Sequence, residues 1–314
     1  MEDRLRAEAK ALLTDKKVDS LIGYAEGSLK FVTTPLITTK PKDAEKLVIN
    51  PFIMNNLSVF LKGRTGKTAV CAKPCDARSI VSLIQDNQIK REDVFIIGMP
   101  CQGLIDFQKV EAASGYDRDE LDSIKRDGDT VTISVGGKEQ TLPMAQVSYD
   151  DCLRCESTTH SEYDVVIKSD EGASPAGENP VRENYEQLSP TERWAFWKDE
   201  FTRCIRCYAC RQVCPACFCE RCFAQETEPR WINNAPHWQD NAMFQIIRVL
   251  HTTGRCTDCG ECERACPVGI PLRLLTSKMY ETAEELFDYK IGEDKDALPL
   301  MAAYQTDEVD DLIR

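Results

Sequence analysis

Apolar positions in the opening stretch fall at helical spacing. Leu5, Ala9, Leu12 and Leu13 stand at i, i+4, i+7 and i+8, which predicts a helix over residues 3–14. The period then shortens. Residues 17–24 (K-V-D-S-L-I-G-Y) predict a strand ending in a turn, and 68–72 (T-A-V-C-A) and 93–98 (D-V-F-I-I-G) are short, largely apolar, β-rich runs. Between those two runs, residues 76–88 set Ile80, Val81, Leu83 and Ile84 on one helical face. Strand, helix, strand with short links predicts a parallel βαβ unit. Residues 130–142 predict a hairpin turned at Gly136-Gly137, and 163–168 a last strand.

Beyond residue 170 the pattern becomes helical. Residues 171–187 are rich in Gly, Pro and charge and read as a linker. Ser189-Pro190-Thr191-Glu192 forms a capping box with Pro at the first helical position. Trp194, Trp197 and Phe201 (i, i+3, i+7) read as an aromatic core stripe on the helix that follows. Residues 240–251 predict a helix burying Phe244, Ile247 and Leu250, and 271–287 a further one. The expected fold class is α+β/α/β: an N-terminal mixed α/β domain over 1–170, the linker, an all-helical domain over 188–290, and a peripheral acidic tail over 291–314.

Composition narrows the function classes. A chain of 314 residues with 42% hydrophobic positions can bury sizeable cores and suggests two domains. Its net charge of −13 disfavours nucleic acid as a partner. The charged stretch Met1–Lys17 is no signal peptide, and no run approaches the roughly 20 apolar residues of a membrane span. Sixteen cysteines in so long a chain predict metal chemistry in a reducing, cytoplasmic setting.

Eight of those cysteines form an internal repeat. C-I-R-C-Y-A-C-R-Q-V-C-P begins at Cys204 and C-T-D-C-G-E-C-E-R-A-C-P at Cys256, each C-x-x-C-x-x-C-x-x-x-C-P. A 4Fe–4S cubane needs four thiolates at tetrahedral corners. Three closely spaced cysteines wrap one side, and in two-cluster ferredoxins the fourth comes from the other run. The spacing therefore assigns Cys204, Cys207, Cys210 and Cys266 to one cubane, and Cys256, Cys259, Cys262 and Cys214 to a second. Pro215 and Pro267 end each run by stopping a helix. Zinc sites usually show separated C-x-x-C pairs, and disulfide frameworks belong to small secreted chains.

Five more cysteines lie in the N-terminal half. Cys75 and Cys101 each follow a strand of the βαβ unit, at the carboxyl edge where open α/β sheets place their sites. Cys152-Leu153-Arg154-Cys155 is a two-ligand clip, so Cys75, Cys101, Cys152 and Cys155 make a candidate third cubane, with zinc or unrelated buried thiols as rivals. Cys71, inside a strand, reads as a buried thiol. Cys217, Cys219 and Cys222 are left as spare thiols, replacement ligands or part of a further metal centre. Gly63–Thr68 lacks the first Gly of a phosphate loop and precedes a strand, so it reads as a turn. Arg203, Arg206, Arg211 and Arg255 stand beside cysteines, either compensating thiolate charge or solvated at the surface. The three histidines are scattered, and no Ser–His–Asp or paired-carboxylate site can be argued.

Two resemblances follow from these motifs. Helix, run, helix, run, helix over about residues 188–290 resembles the alpha-helical ferredoxin domain of iron–sulfur subunits of succinate dehydrogenase and heterodisulfide reductase. K-P-C-D-A-R-S-I-V-S-L-I-Q, I-I-G-M-P-C-Q-G and C-L-R-C-E with Y-D-V-V-I, over about 17–170, resemble the beta subunit of deazaflavin-reducing hydrogenases and formate dehydrogenases. The second resemblance implies that Cys75, Cys101, Cys152 and Cys155 ligate a 4Fe–4S cluster. It also brings FAD, carried by the hydrogenase type, although this sequence has no G-x-G-x-x-G and the usual remainder of the family's C-terminal region is missing. Together they imply an electron-relay subunit. Its partners would be a flavoprotein, a hydrogenase, a formate dehydrogenase or heterodisulfide-reductase-like subunits in an anaerobe. The alternative is a flavin-bearing catalyst that converts hydride to single electrons; a third class is a non-redox binding module stapled by metal.

Overall fold

The computed structural model describes residues 1–153, 155, 160, 162–168 and 180–303. Helix α1 (Glu2–Thr14) buries Leu5, Ala9, Leu12 and Leu13, the stripe that its spacing predicts. Strands β1 (Ser20–Glu26) and β2 (Thr33–Thr38) pair antiparallel. Strand β3 (Thr68–Ala72), helix α2 (Pro74–Gln85) and strand β4 (Val94–Gly98) form the βαβ unit, with β1, β3 and β4 parallel. Every residue of β3 is buried, as a central strand covered on both faces requires. Helix α3 (Phe107–Ser114) leads to a separate antiparallel sheet of β5 (Ser123–Asp127), β6 (Thr130–Val135) and β7 (Lys138–Pro143), with the predicted turn at Gly136-Gly137 between the last two. Two single turns, α4 (Met144–Val147) and α5 (Asp150–Leu153), return the chain to the first sheet, which β8 (Val165–Val166) closes in the order β2-β1-β3-β4-β8.

The expected linker is partly helical: α6 (Pro180–Glu186) lies inside it, while residues 169–179 fall outside the described ones. Helix α7 (Pro190–Arg203) starts at the capping box, with Ser189 Oγ accepting from Glu192 N, and hands directly to Cys204. The turns α8 (Ala209–Gln212) and α10 (Glu261–Arg264) carry Cys210 and Cys262, and α9 (Trp238–Thr252) and α11 (Arg273–Phe287) complete the helical half. Trp197 and Phe201 are buried as expected. Trp194 is 53% exposed, its edge turned to Trp238, so the aromatic stripe stops one turn short. No described helix is long and apolar enough to cross a membrane.

The two halves share α2. This helix is buried nearly all round: Ala77, Ile80 and Val81 belong to the apolar core, while Arg78, Ser79, Ser82 and Gln85 meet the C-terminal half. Arg78 Nε donates to Ile291 O at 3.2 Å, Gln85 Nε2 to Asp294 O at 2.7 Å, and Arg255 pairs with Asp86 at 2.9 Å. The start of the acidic tail is therefore not peripheral. Ile291 is 1% exposed, and Gly292 adopts φ +75° where a Cβ would stand 2.4 Å from Arg78 O. Residues 304–314 lie outside the described ones.

Candidate metal centre

The two cysteine runs repeat one backbone path. The second residue after the first cysteine of each run, Arg206 and Asp258, is left-handed (φ 50° and 53°), and so is the fourth, Tyr208 and Gly260 (φ 62° and 73°). Alternating left-handed residues curl a chain so that successive side chains and N–H groups face one point. At Gly260 the space is also closed, since a Cβ there would stand 2.5 Å from the Asp151 carboxylate.

Thiols of the two runs neighbour one another. Cys204, Cys207, Cys210 and Cys266 line one cavity with Gln245 and Pro267. Burial raises the Cys204 thiol above its ordinary range, and Cys266 and Cys207 add to the rise. In the second run, burial pushes Cys256 well up, Cys259 up to about 11 and Cys262 up to about 12, and Cys214 is a charged neighbour of all three. Cys214 moves the other way, down to about 6, because the Cys217 thiol donates a hydrogen bond to it and Arg248 stands close by.

The N-terminal cysteines gather at the sheet edge. Cys75 is in the first turn of α2, Cys101 follows β4, and Cys152 sits in α5 with Cys155 just beyond. Burial raises Cys75, Cys101 and Cys152. Cys101 is a neighbour of both of the others and also of Cys155. Cys75 also has Cys259 as a charged neighbour, so this group lies against the second run. Cys71 is fully buried within β3, its thiol raised by burial to about 12, as its place in the strand predicts. Cys217 lies at Cys214, and Cys219, exposed, lines the same cavity as both.

Several polar residues at these cysteines escape hydrophobic-period reading. On α9, Ile247 is only half-buried and Leu250 is 53% exposed, contrary to expectation; beside Ala242, Phe244 and Val249 the buried face includes Asn241, Gln245, Arg248 and Thr252. Asn241 Nδ2 donates to Phe201 O at 2.9 Å and Cys204 O at 2.8 Å, and Gln245 Nε2 reaches Cys210 Sγ at 3.8 Å. Buried Arg264 donates to Asp151 at 2.7 Å, Glu261 at 3.0 Å and Cys259 O at 2.8 Å, standing between the second run and the N-terminal group. Beside Cys75, the ammonium of Lys73 (1% exposed) donates to Asp76 at 3.0 Å and Asn55 O at 2.8 Å and also meets Tyr24 Oη. Of the four arginines singled out by sequence, Arg206 is buried against Ala235 O, Arg203 reaches Val268 O, Arg211 reaches Gln225 and Arg255 is held by Asp86.

The donor set suits iron–sulfur clusters. The soft candidate-ligand thiols gather in groups, all but Cys207 buried or half-buried, and backbone N–H groups already aim at sulfur: Leu104 N at Cys152 Sγ (3.3 Å) and Ile270 N at Cys266 Sγ (3.4 Å). Buried guanidinium nitrogens of Arg206, Arg211, Arg248 and Arg264 have no hydrogen-bond partner among the described residues, as expected of donors facing an anionic inorganic group. Among the described residues, no three His, Cys, Asp or Glu side chains converge tightly enough to bind one metal ion. A cubane instead gives each thiolate its own iron.

Fold and donor set define an iron–sulfur protein, and residues 200–270 match the model of the 4Fe-4S dicluster domain. Over 93% of its length the chain is similar to the F420-dependent formate dehydrogenase subunit beta of Methanocaldococcus jannaschii, with 27% identity and 92% of that protein covered. It is 24% identical, over the same share, to the F420-dependent formate dehydrogenase 1 subunit beta of Methanococcus maripaludis, covering 91% of it. A chain of the F420-reducing NiFe hydrogenase complex of Methanosarcina barkeri aligns with a TM-score of 0.40 and 17% identity over 49% of this chain and 59% of its own, a likeness too loose to fix a fold. The resemblance read from the sequence thus extends to named formate dehydrogenase beta subunits, and a 4Fe-4S dicluster domain lies in the C-terminal half, at residues 200–270.

Proposed function

We propose that this chain is an electron-relay subunit of a formate dehydrogenase, hydrogenase or heterodisulfide-reductase-like complex, and that it holds three 4Fe–4S clusters. Cys204, Cys207, Cys210 and Cys266 would ligate the first, Cys256, Cys259, Cys262 and Cys214 the second, and Cys75, Cys101, Cys152 and Cys155 the third. The observation that carries the reading is the shared neighbour: each thiol of the Cys256 run has Cys214, from the other run, beside it.

Clusters, when bound, supply one-electron centres at potentials set by their surroundings. The chain's own residues bury the sulfurs, donate N–H groups to them and surround them with cations. The three groups adjoin in series. Cys75 neighbours Cys259, and Cys262 and Cys214 neighbour Cys210. Cys207, exposed, brings the first group to the surface and would mark one end of the relay.

Iron, sulfide, zinc and flavin per chain, measured on anaerobically purified protein, test the reading. About twelve iron and twelve sulfide, reducible by dithionite, are expected from three cubanes of four irons. Zinc in place of iron, or metal silent to reductant, would overturn it, and stoichiometric flavin would make the chain a catalyst rather than a relay.

A further inference from the structure

Arg248 is a deeply buried cation of the helical half that pairs with no carboxylate among the described residues. Its side chain comes off α9 into the space between the two cysteine runs and is 3% exposed. Nη2 donates to Cys210 O at 3.1 Å and the guanidinium also hydrogen-bonds the Cys214 side chain, while among the described residues Nε and Nη1 have no nitrogen or oxygen acceptor. Arg264 and Arg273, less deeply buried, are each held by carboxylates, Asp151 and Glu261 for one and Asp258 for the other. Among the described residues Arg248 has no such counter-ion; its charged neighbours are Cys262, Cys214, Cys217 and Cys210. Three of these are assigned ligands. Cys210 belongs to the first set, and Cys214 and Cys262 to the second.

A guanidinium cannot shed its proton in a protein, and a buried charge without a partner is unfavourable. The chain nevertheless buries one where two anionic groups would flank it. A fixed cation close to both clusters favours the electron-rich state of each, because the added negative charge is attracted to it.

We propose that Arg248 is the shared counter-ion of the two C-terminal clusters, with its free Nε–H and Nη1–H directed at cluster or thiolate sulfur, and that it raises the reduction potential of both. The proposal rests on the crossed ligand assignment above. As a positioning residue Arg248 moves no electron itself. Its effect is to keep the two centres reducible and close in potential.

Spectroelectrochemical titration of Arg248→Gln, Arg248→Lys and the wild-type chain, followed by electron paramagnetic resonance, tests it. Iron and sulfide content are determined first: wild-type protein that binds no clusters defeats the ligand assignment itself, separately from the role of Arg248. In loaded protein, Arg248→Gln is expected to move both C-terminal potentials negative by at least a tenfold change in the reduction equilibrium, 59 mV for one electron. Arg248→Lys, which keeps the charge, should move them less. Unchanged potentials, or a shift at one cluster only, would overturn the proposal.

Should Arg248→Gln fail to load, wild-type protein carrying 15N-labelled arginine decides. A 15N hyperfine coupling at both reduced clusters, lost in Arg248→Lys, supports the proposal, and its absence at either cluster overturns it.

Discussion

Ser79 Oγ on α2 and Thr257 Oγ1 in the second cysteine run lie 2.8 Å apart, both buried. Ser79 also accepts from Asn56 Nδ2 at 2.9 Å and donates to Cys75 O at 3.0 Å. One hydroxyl thus ties the residue after Cys256 to the backbone of Cys75, the point where the two halves of the proposed relay meet. Ser79→Ala leaves Asn56 and Thr257 short of a partner in a dry junction, which costs about 1–3 kcal/mol. The expected result is a lower Tm for the loaded protein with unchanged iron content, read by anaerobic thermal unfolding. An unchanged Tm would mean that the junction opens to water.

Crossed ligation makes a prediction about pairs of substitutions. Cys214→Ser and Cys256→Ser should each remove the same cluster signal, with loss of about four iron, the content of one cubane. The double variant should lose no more. Cys266→Ser should instead mimic Cys204→Ser. If Cys214→Ser abolishes the same signal as Cys204→Ser, each run holds its own cluster and the crossing is wrong. The neighbouring Cys217 thiol sharpens the experiment, because Cys217→Ala leaves Cys214 in place and should retain full iron content.

The two cysteine runs were legible because their spacing is a local property: three cysteines with left-handed residues between them curl whatever surrounds them. The candidate set Cys75, Cys101, Cys152 and Cys155, spread along the chain, rested instead on the sheet edge and the family resemblance. The parallel βαβ unit was legible for a similar reason, its strands being short apolar runs of a recognisable period. The buried face of α9 was not. Period reading scores apolar positions, and this helix turns Asn241, Gln245 and Arg248 inward toward carbonyls and sulfur while Leu250 faces out. The tail was missed because a single apolar residue, Ile291, and backbone carbonyls that accept from Arg78 and Gln85 leave no pattern in sequence.

That tail contact is testable at one backbone position. Gly292 has φ +75° and no room for a Cβ beside the Arg78 carbonyl, whereas Gly269 has φ +61° and open space around it. Gly292→Ala combines left-handed strain, about 1–2 kcal/mol, with a clash against backbone, and Gly269→Ala carries the strain alone. Chemical denaturation should rank Gly292→Ala as the less stable, and limited proteolysis should cleave its tail sooner. Equal stability of the two variants would return the tail to the peripheral place that its acidity suggests.

The Lys73–Asp76 pair supplies the last prediction. Both side chains are almost fully enclosed, 1% and 0% exposed, and they are joined at 3.0 Å with Tyr24 Oη donating to the same carboxylate oxygen at 3.0 Å. Burial alone would lower the pKa of Lys73, yet Asp76 first and then Cys75 and Cys101 hold it above its ordinary value, so the ammonium stays charged. Removing one partner of a buried pair strands the other and costs about 3–5 kcal/mol, whereas replacing both by apolar groups of similar volume is often close to neutral. Lys73→Met is therefore expected to unfold α2 from the sheet edge and to lose the N-terminal cluster. Lys73→Met/Asp76→Leu should recover stability without recovering wild-type behaviour there: with the Lys73 charge gone from beside Cys75 and Cys101, any cluster retained should titrate at a more negative potential. Iron analysis and potentiometry of the single and double variants separate the two effects. A double variant no more stable than Lys73→Met would show that the pair contributes something hydrophobic packing cannot replace, with the Asp76 bonds to Tyr24 Oη and to Lys73 N as the first place to look.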